Sequence, residues 1–278
     1  MTLLVKAQRA GQRIVQVTPA SAGWRHVGFA AHRLPDGASI SASAAETAGR
    51  ETCIVVLSGR VDITAGTQAW TGLGERASVF EDKAPTAVYV PGATAYRVLA
   101  HGAAEVALAT APFPSTDAAA PDATALPPRL IAPDQMARSV RGQGTNQRFV
   151  CDILPHTAPA ASLLVVEVRT PSAHSSSYPP HKHDRDDAPN ETQLEETYYH
   201  RVDPPQGFVF QRVYTDDRSI DESHAVEDHD VMMVPRGYHP VVVPHGYASY
   251  YLNVMAGPRR LWHFRNDPAH EWMLRTGA

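Results

Sequence analysis

Two histidines separated by a single residue, His181 and His183, combine residue type and spacing in a way that predicts chemistry. Residues i and i+2 of a β-strand point to the same face, so both imidazoles can project into one interior. A carboxylate from the next strand and a third imidazole would complete a set of three histidines and one carboxylate. Such a set leaves coordination positions open for water or substrate. The sequence therefore predicts a catalytic divalent metal site.

The third imidazole is predicted to be His239, which follows the turn Pro235-Arg-Gly237. This turn redirects the chain so that the next side chain can face inward. The carboxylate is predicted to come from the strand that begins near Leu194, where two glutamates are adjacent, Glu195 and Glu196. A shift of one residue reverses which side chain faces inward, so both remain candidates.

A faint internal repeat relates the two halves of the chain. Glu51-Thr52 begins a strand 40 residues before Pro91-Gly92, and Glu196-Thr197 begins a strand 39 residues before Pro235. The first half has no His-x-His and no histidine after its Pro-Gly turn. We therefore expect two similar β units, with any metal chemistry in the second.

The segments that must position these residues have mostly the sequence pattern of β-strands. Six short segments are β-branched or aromatic and bounded by turn residues. They are Cys53–Leu57, Ala87–Val90, Leu163–Val168, Phe208–Phe210, Val231–Val234 and Tyr250–Val254. This pattern predicts an all-β sandwich or barrel. Residues 111–128 are rich in Ala, Pro, Ser, Thr and Asp, so we predict domains at 1–112 and 129–278 with a linker at 113–128.

Composition excludes several classes of function. The net charge of −4 gives no electrostatic reason to bind nucleic acid or an anionic membrane surface. The longest apolar runs are too short to span a bilayer, and charged residues follow the N-terminus before a signal-peptide core could form. The two cysteines form no disulfide framework. We expect a cytoplasmic protein.

The combination of His-x-His, a spaced Glu and Pro-x-Gly-x-His resembles the two signature motifs of the cupin superfamily. That resemblance implies a bicupin of two cupin-type β-barrels, the N-terminal one degenerate and the C-terminal one metal-bearing. It also implies a ligand set of His181, His183, Glu196 and His239. Glu196 is preferred because Glu196-Thr-Tyr-Tyr resembles the opening of the cupin strand and matches Glu51 in the repeat.

Longer strings resemble the 5-deoxy-glucuronate isomerases of myo-inositol catabolism, which are related to 4-deoxy-5-ketouronate isomerase. They are Ser21–Phe29, Arg129–Arg148, Ser175–Asp184, Leu194–Arg201, Phe210–Asp217 and Tyr250–Pro258. The resemblance implies a metal-dependent aldose–ketose isomerase that converts 5-deoxy-D-glucuronate, a small sugar acid, to 2-deoxy-5-keto-D-gluconate. It makes zinc the first expectation for the metal, with Mn, Fe, Co and Ni as alternatives.

Isomerisation by proton transfer needs an acid or base within hydrogen-bond reach of the substrate. Tyr198 and Tyr238 are the predicted catalytic residues, with His200 and Lys182 nearby, although alternation should point Lys182 away from the metal. If Glu195 were the ligand, Tyr199 would replace Tyr198. The substrate carboxylate needs a cation, ideally the fork of an arginine. Four arginines qualify: Arg148, Arg169, Arg201 and Arg212.

Two other functions fit the same ligand set. A cupin dioxygenase would use it with iron to activate oxygen, and a non-catalytic module would hold a metal or sugar without turnover. A metal-assisted hydride shift is an alternative route for the isomerase itself, and the chain could form a homo-oligomer.

Overall fold

The computed structural model describes residues 2–113 and 126–274, and nearly every regular element in it is a β-strand. The strands up to residue 131 are β1 (Leu4–Val5), β2 (Arg13–Val17), β3 (Gly28–Leu34), β4 (Ser39–Ala42), β5 (Arg50–Ala65), β6 (Gln68–Leu73), β7 (Thr86–Val90), β8 (Tyr96–Pro112) and β9 (Arg129–Ile131). The later strands are β10 (Ala137–Arg141), β11 (Arg148–Leu154), β12 (Leu164–Thr170), β13 (Ser175–Ser176), β14 (His181–Lys182), β15 (Glu195–Asp203), β16 (Phe208–Tyr214), β17 (Asp221–Glu227), β18 (Val231–Val234), β19 (Val241–Val242), β20 (Ala248–Ala256) and β21 (Arg265–Asn266). The helical elements are the short helix α1 (Pro19–Ala22) and the 3₁₀ turns Pro133–Gln135, Gly144–Asn146 and Glu271–Leu274. The predicted all-β class is confirmed, and within the described part of the chain no helix is long and apolar enough to cross a membrane.

The first half is built on one eight-stranded sheet in the order β2-β3-β8-β5-β7-β9, with β4 paired to β8 and β6 to β5. The two long strands β5 and β8 pair from Arg50↔Pro112 to Ala65↔Tyr96, with register shifts around Gly59. Gly59 is required there, because a Cβ would lie 2.3 Å from the carbonyl oxygen of Ala103. An apolar cluster fills the interior and includes Ile54, Val88, Val98 and Val106.

The second half combines a seven-stranded sheet, β1-β18-β15-β20-β12-β11-β10, with a four-stranded sheet, β13-β19-β16-β17. In the seven-stranded sheet, β15 lies between β18 and β20 and pairs with both. Alternation along β15 sends Tyr198 and Val202 into the interior cluster of this half, where Val209 and Met232 also lie. Its other face carries Tyr199, which packs instead in a cluster shared by both halves.

Glutamates join the two halves in a reciprocal way. The buried carboxylate of Glu51 accepts hydrogen bonds from the backbone N–H groups of residues 161–163, at 2.6–2.8 Å. The carboxylate of Glu195 accepts hydrogen bonds from the backbone N–H groups of residues 25–27, at 2.7–3.0 Å. Arg76 of the first half also forms a bidentate buried ion pair with Glu167 of the second, at 2.8 and 2.9 Å.

Strand pairing revises the alignment of the internal repeat by one residue. Thr52 pairs with Val90, and Glu196 pairs with Val234, so Thr52 is the counterpart of Glu196. Glu51 therefore corresponds to Glu195, in agreement with the matching roles of these two carboxylates between the halves. The expected match of Glu51 to Glu196 is wrong, because it rested on the letters Glu-Thr alone.

Two very short strands lie in the sheet of the opposite half. β1, at the N-terminus, pairs with β18, and β9, just after residue 128, pairs with β7. Most of the predicted linker at 113–128 lies outside the described residues. The division at 1–112 and 129–278 stays a prediction, with these two segments crossing it.

Candidate metal centre

Three of the four predicted ligands lie together in the interior of the second half. The ligand atoms of His183, Glu196 and His239 are all within 4.8 Å of one another, and all three residues are buried. One oxygen, Glu196 Oε2, lies 2.9 Å from His183 Nε2 and 3.3 Å from His239 Nε2. The sequence prediction that distant segments converge on one carboxylate agrees with this geometry.

The backbone orients both imidazoles through their other ring nitrogen. His183 Nδ1 lies 3.0 Å from the carbonyl oxygen of Leu194, and His239 Nδ1 lies 2.8 Å from the carbonyl oxygen of Gly237. In a neutral imidazole, donation of Nδ1–H to a carbonyl places the lone pair on Nε2, which is the form that binds a metal through that atom. The Nε2 atoms of both rings lie close to Glu196 Oε2, at 2.9 and 3.3 Å.

The turn that presents His239 depends on Gly237. Its φ is +99°, and a Cβ would lie 2.6 Å from the carbonyl oxygen of Tyr214. The Gly237 N–H donates to Asp184 Oδ1 at 2.6 Å, which ties this turn to the residue after His183. The two histidine-bearing segments therefore support each other.

A buried ring nitrogen without a hydrogen-bond partner tests whether a metal fits this site. His239 Nε2 is buried and has no hydrogen-bond partner in the described structure, since its approach to Glu196 lacks hydrogen-bond geometry. A buried polar atom without a partner is costly, and a cation would satisfy it. Imidazole nitrogens with one carboxylate are a donor set that suits zinc and other divalent transition metals. The residues present fit such an ion.

His181 lies beside this group of three. Its ring is 4.8 Å from that of His239 and 4.6 Å from that of Phe264, measured between centroids. Burial, together with His239 and His183, holds its pKa well below the ordinary value of 6.5. Its imidazole is therefore neutral at physiological pH, which is the form that binds a metal.

The pKa values of the two buried histidines nearest Glu196 are shifted in opposite directions. Burial acts to lower the pKa of His183, but the hydrogen bond and charge of Glu196 outweigh it, and the pKa is raised. Burial lowers the pKa of His239, although Glu196 opposes the shift. The negative charge of Glu196 therefore favours positive charge at this site, such as that of a bound cation.

Glu196 faces this site and Glu195 does not. The carboxylate of Glu195 lies on the opposite face of β15, bound to the backbone of residues 25–27. Of the two registers that the sequence left open, the structure brings Glu196 to the histidines.

A cavity of about 290 Å³ opens beside the ligands. Its lining combines His181 and Glu196 with hydroxyl, amide, aromatic and guanidinium groups. The polar and aromatic members include Asn146, Arg141, Arg148, Ser177, Tyr198, Tyr251, Asn253, Trp262, Phe264 and Asn266. Such a volume and lining suit a small polar molecule such as a sugar acid.

Tyr198 lies in this cavity. Its hydroxyl is buried, 3.0 Å from the Ser177 hydroxyl, and its ring lies 5.7 Å from that of His239. Burial, with the nearby charge of Glu196, holds the pKa of Tyr198 well above 10. The hydroxyl therefore stays protonated and can donate at neutral pH.

The other three candidates for proton transfer are not among the cavity residues, and each has a protein partner. Tyr238 donates to Asp216 Oδ1 at 2.8 Å, Lys182 Nζ lies 3.1 Å from Glu191 Oε1, and His200 Nε2 lies 2.9 Å from Gln211 Oε1. The buried ammonium group of Lys182 bonds both carboxylate oxygens of Glu191, at 3.1 and 3.2 Å.

Sequence reasoning missed Glu191. This buried carboxylate binds Lys182 and accepts the backbone N–H groups of Asp184 and Arg185, at 2.5 and 3.2 Å. It therefore shapes the loop that follows His183. No local signal marks it, since it lies in a polar stretch typical of a solvated loop.

Comparison with known proteins decides the family. A family model described as the KduI/IolB family matches residues 3–273. The chain belongs to the KduI/IolB family. A 5-deoxy-glucuronate isomerase of Geobacillus kaustophilus is 49% identical over 263 residues, which cover 95% of this chain and 91% of that protein. The predicted family resemblance is confirmed.

Solved structures support the same family and fold. An IolB-like protein of Salmonella typhimurium LT2 superposes with a TM-score of 0.92 at 44% identity, covering 99% of this chain and all of that one. An oxalate decarboxylase of Lactobacillus farciminis superposes with a TM-score of 0.65 at 13% identity, covering 96% of this KduI/IolB chain and 88% of its own. The second likeness concerns the fold alone, and it agrees with the all-β class.

Proposed function

We propose that this KduI/IolB chain is an aldose–ketose isomerase that converts 5-deoxy-D-glucuronate to 2-deoxy-5-keto-D-gluconate in myo-inositol degradation. The observation that carries the proposal is the buried group of His183, Glu196 and His239 beside a polar cavity. It occurs in a chain that is 49% identical, over nearly its whole length, to relatives named for this reaction.

We further propose that one divalent metal is held by His181, His183, Glu196 and His239. Zinc is the first choice because imidazoles with one carboxylate suit it, and Mn, Fe, Co and Ni are alternatives. When bound, the ion would polarise the substrate carbonyl and offset the negative charge that develops on oxygen. The two backbone carbonyls behind His183 and His239 would keep both rings in the ligating orientation.

Tyr198 is our choice for the residue that exchanges a proton with substrate oxygen. In the isomerisation, a proton leaves the carbon next to the aldehyde, an enediol forms, and a proton returns at the former carbonyl carbon. The oxygens of the enediol must gain and lose protons during these steps. The protonated, buried hydroxyl of Tyr198 lines the cavity and lies close to Ser177, which could relay the proton. Tyr238 lacks this placement, and we propose no catalytic role for it.

We also infer a cytoplasmic location. Both cysteines, Cys53 and Cys151, are buried and free, which suits a reducing compartment. The small sugar acid is the proposed partner of the site.

Proton NMR of 5-deoxy-D-glucuronate incubated with the purified protein tests this function. The protein is first stripped with a chelator and then supplied separately with Zn, Mn, Fe, Co or Ni, with His239→Ala as the matched control. We expect the keto product with at least one metal and none without metal. Absence of product with every metal would refute the isomerase. Iron-dependent oxygen uptake would then favour a dioxygenase, and sugar binding without product would favour a binding module.

A further inference from the structure

The sequence left four arginines as candidates to bind the substrate carboxylate. Their ion pairs and their positions relative to the cavity distinguish them. Three of them are already paired with protein carboxylates. Arg169 pairs with Asp82, Arg201 with Glu105 and Asp228, and Arg212 with Asp221. None of these three lines the cavity beside the metal ligands. They therefore serve the fold, and Arg148 remains.

Arg148 lines the same cavity as His181 and Glu196. Within residues 2–113 and 126–274, its guanidinium has no carboxylate within 4.0 Å, and its hydrogen bonds all come from one nitrogen. That nitrogen, Nη1, donates to the backbone oxygen and to Oδ1 of Asn146, at 3.1 and 3.2 Å. The other face of the fork keeps its donors for a ligand.

The guanidinium is held in place rather than left free. Gly142 lies against it, with φ of +77°, and a Cβ there would lie 2.8 Å from Arg148 Nη1 and 2.1 Å from the carbonyl oxygen of Asn146. Asn146 in turn donates through Nδ2 to the carbonyl oxygen of Tyr178, at 3.3 Å. The turn that holds Arg148 is thereby tied to the segment that leads into His181.

We propose that Arg148 binds the carboxylate of the sugar acid and so determines the preference of this enzyme for uronates over neutral aldoses. The inference rests on the proposed function. A partly buried guanidinium without a counter-ion is unfavourable, and a carboxylate ligand matches the two parallel donors of its fork. The carboxylate end of the substrate would then be held by Arg148, leaving the carbonyl end for the metal ligands and Tyr198.

Arg141 is the natural control, because it lines the same cavity. Its guanidinium already has partners, since it lies 5.8 Å from the ring centre of Trp262 and 3.8 Å from Asp152 Oδ1. Removing its charge should therefore change the electrostatics of the cavity without removing a carboxylate site.

The experiment compares Arg148→Met, Arg148→Lys and Arg141→Met with the wild-type protein. Each is tested with 5-deoxy-D-glucuronate and with 5-deoxy-D-glucose, in which a hydroxymethyl group replaces the carboxylate. The measured quantity is the affinity for the uronate divided by the affinity for the neutral sugar, with each affinity taken from KM or from competitive inhibition. We expect Arg148→Met to lower this ratio on the order of 100-fold, mainly through KM for the uronate. The ratio for Arg148→Lys should lie between those of the wild type and Arg148→Met, because lysine keeps the charge and lacks the two parallel donors of the guanidinium. Arg141→Met should change the ratio less than about tenfold.

Two results overturn the inference: a fall of less than tenfold in both Arg148 variants, or a larger fall in Arg141→Met than in Arg148→Met. Circular dichroism of each variant checks folding, and Arg148→Lys keeps the test valid if Arg148→Met does not fold. Failure of the wild-type protein to convert the uronate would instead refute the proposed function. Conversion by the wild type with an unchanged ratio in the Arg148 variants refutes only the role of Arg148.

Discussion

Two adjacent glutamates on β15 should respond in opposite ways to the same isosteric change. Glu195 bonds the backbone of the other half, whereas Glu196 faces His183 and His239. We therefore expect Glu195→Gln to lower the free energy of unfolding of the metal-free protein and to leave metal affinity unchanged. We expect Glu196→Gln to lower metal affinity and leave the stability of the metal-free protein nearly unchanged.

The magnitude for Glu195→Gln follows from its hydrogen bonds. Oε1 accepts from the N–H of Arg25, and Oε2 accepts from those of His26 and Val27. The amide oxygen of a glutamine can accept two of these hydrogen bonds, but without the negative charge. Its NH₂ group would face the third N–H, and two donors cannot bond each other. Weakening two charge-assisted bonds and losing one costs roughly 3 kcal/mol in the free energy of unfolding.

The magnitude for Glu196→Gln concerns affinity. Removing the one anionic ligand should weaken divalent metal binding on the order of 100-fold, or about 2.7 kcal/mol. In the metal-free protein, the amide oxygen of the glutamine can keep the hydrogen bond to His183 Nε2, so we expect little loss of stability.

Urea unfolding in the presence of a chelator measures the first effect, and metal competition with a chromogenic chelator measures the second. Each variant is the matched control for the other, since the same atoms change one residue apart. Equal loss of metal in both variants, or loss in Glu195→Gln alone, would show that this reading of the β15 register is wrong.

Three further predictions concern the supports of the site. Gly237→Ala should weaken metal binding about tenfold, because the new Cβ would meet the Tyr214 carbonyl and displace His239; chelator competition measures this, and unchanged affinity would contradict it. Arg76→Met should lower the free energy of unfolding by about 3–5 kcal/mol by leaving Glu167 buried without its partner, whereas a loss below about 1 kcal/mol in urea would argue against that pair. Burial raises the pKa of both cysteine thiols to about 12, so Ellman's reagent at pH 8 should titrate no thiol in the native protein and two in denaturant, and rapid native labelling would count against it.

The candidate histidines of the site could be predicted from the sequence because their signals are local. His181 and His183 share a face through strand alternation, and the Pro-x-Gly turn before His239 marks a change of direction. The six predicted strands were recognisable for the same reason, since each is a short apolar run between turn residues. All six lie in observed strands or overlap them.

The glutamate register and the arginine could not be settled in that way. Glu195 and Glu196 differ only in which face of β15 they occupy, and the partners that distinguish them lie about 170 residues away at Arg25–Val27. The carboxylates that occupy Arg169 and Arg201 lie 87 and 96 residues from them in sequence. Long-range pairing of this kind leaves no periodic pattern in a single sequence.

The two short strands that pair with the opposite half, β1 and β9, were not predicted for a different reason. β1 and β9 have two and three residues, too few to show an alternating pattern. They are defined by the sheet edges that receive them, at β18 and β7. Tertiary pairing, rather than local propensity, determines such elements.

The most direct test of the central claim is a titration of the metal-free protein with the activating metal, in which isomerisation of 5-deoxy-D-glucuronate and bound metal are measured in the same samples. A single site formed by His181, His183, Glu196 and His239 predicts that activity rises in proportion to bound metal and reaches a plateau at one ion per chain. His239→Ala should remain folded and gain little of either. Full activity before any metal is added, or a plateau of bound metal that is the same in His239→Ala, would contradict the account.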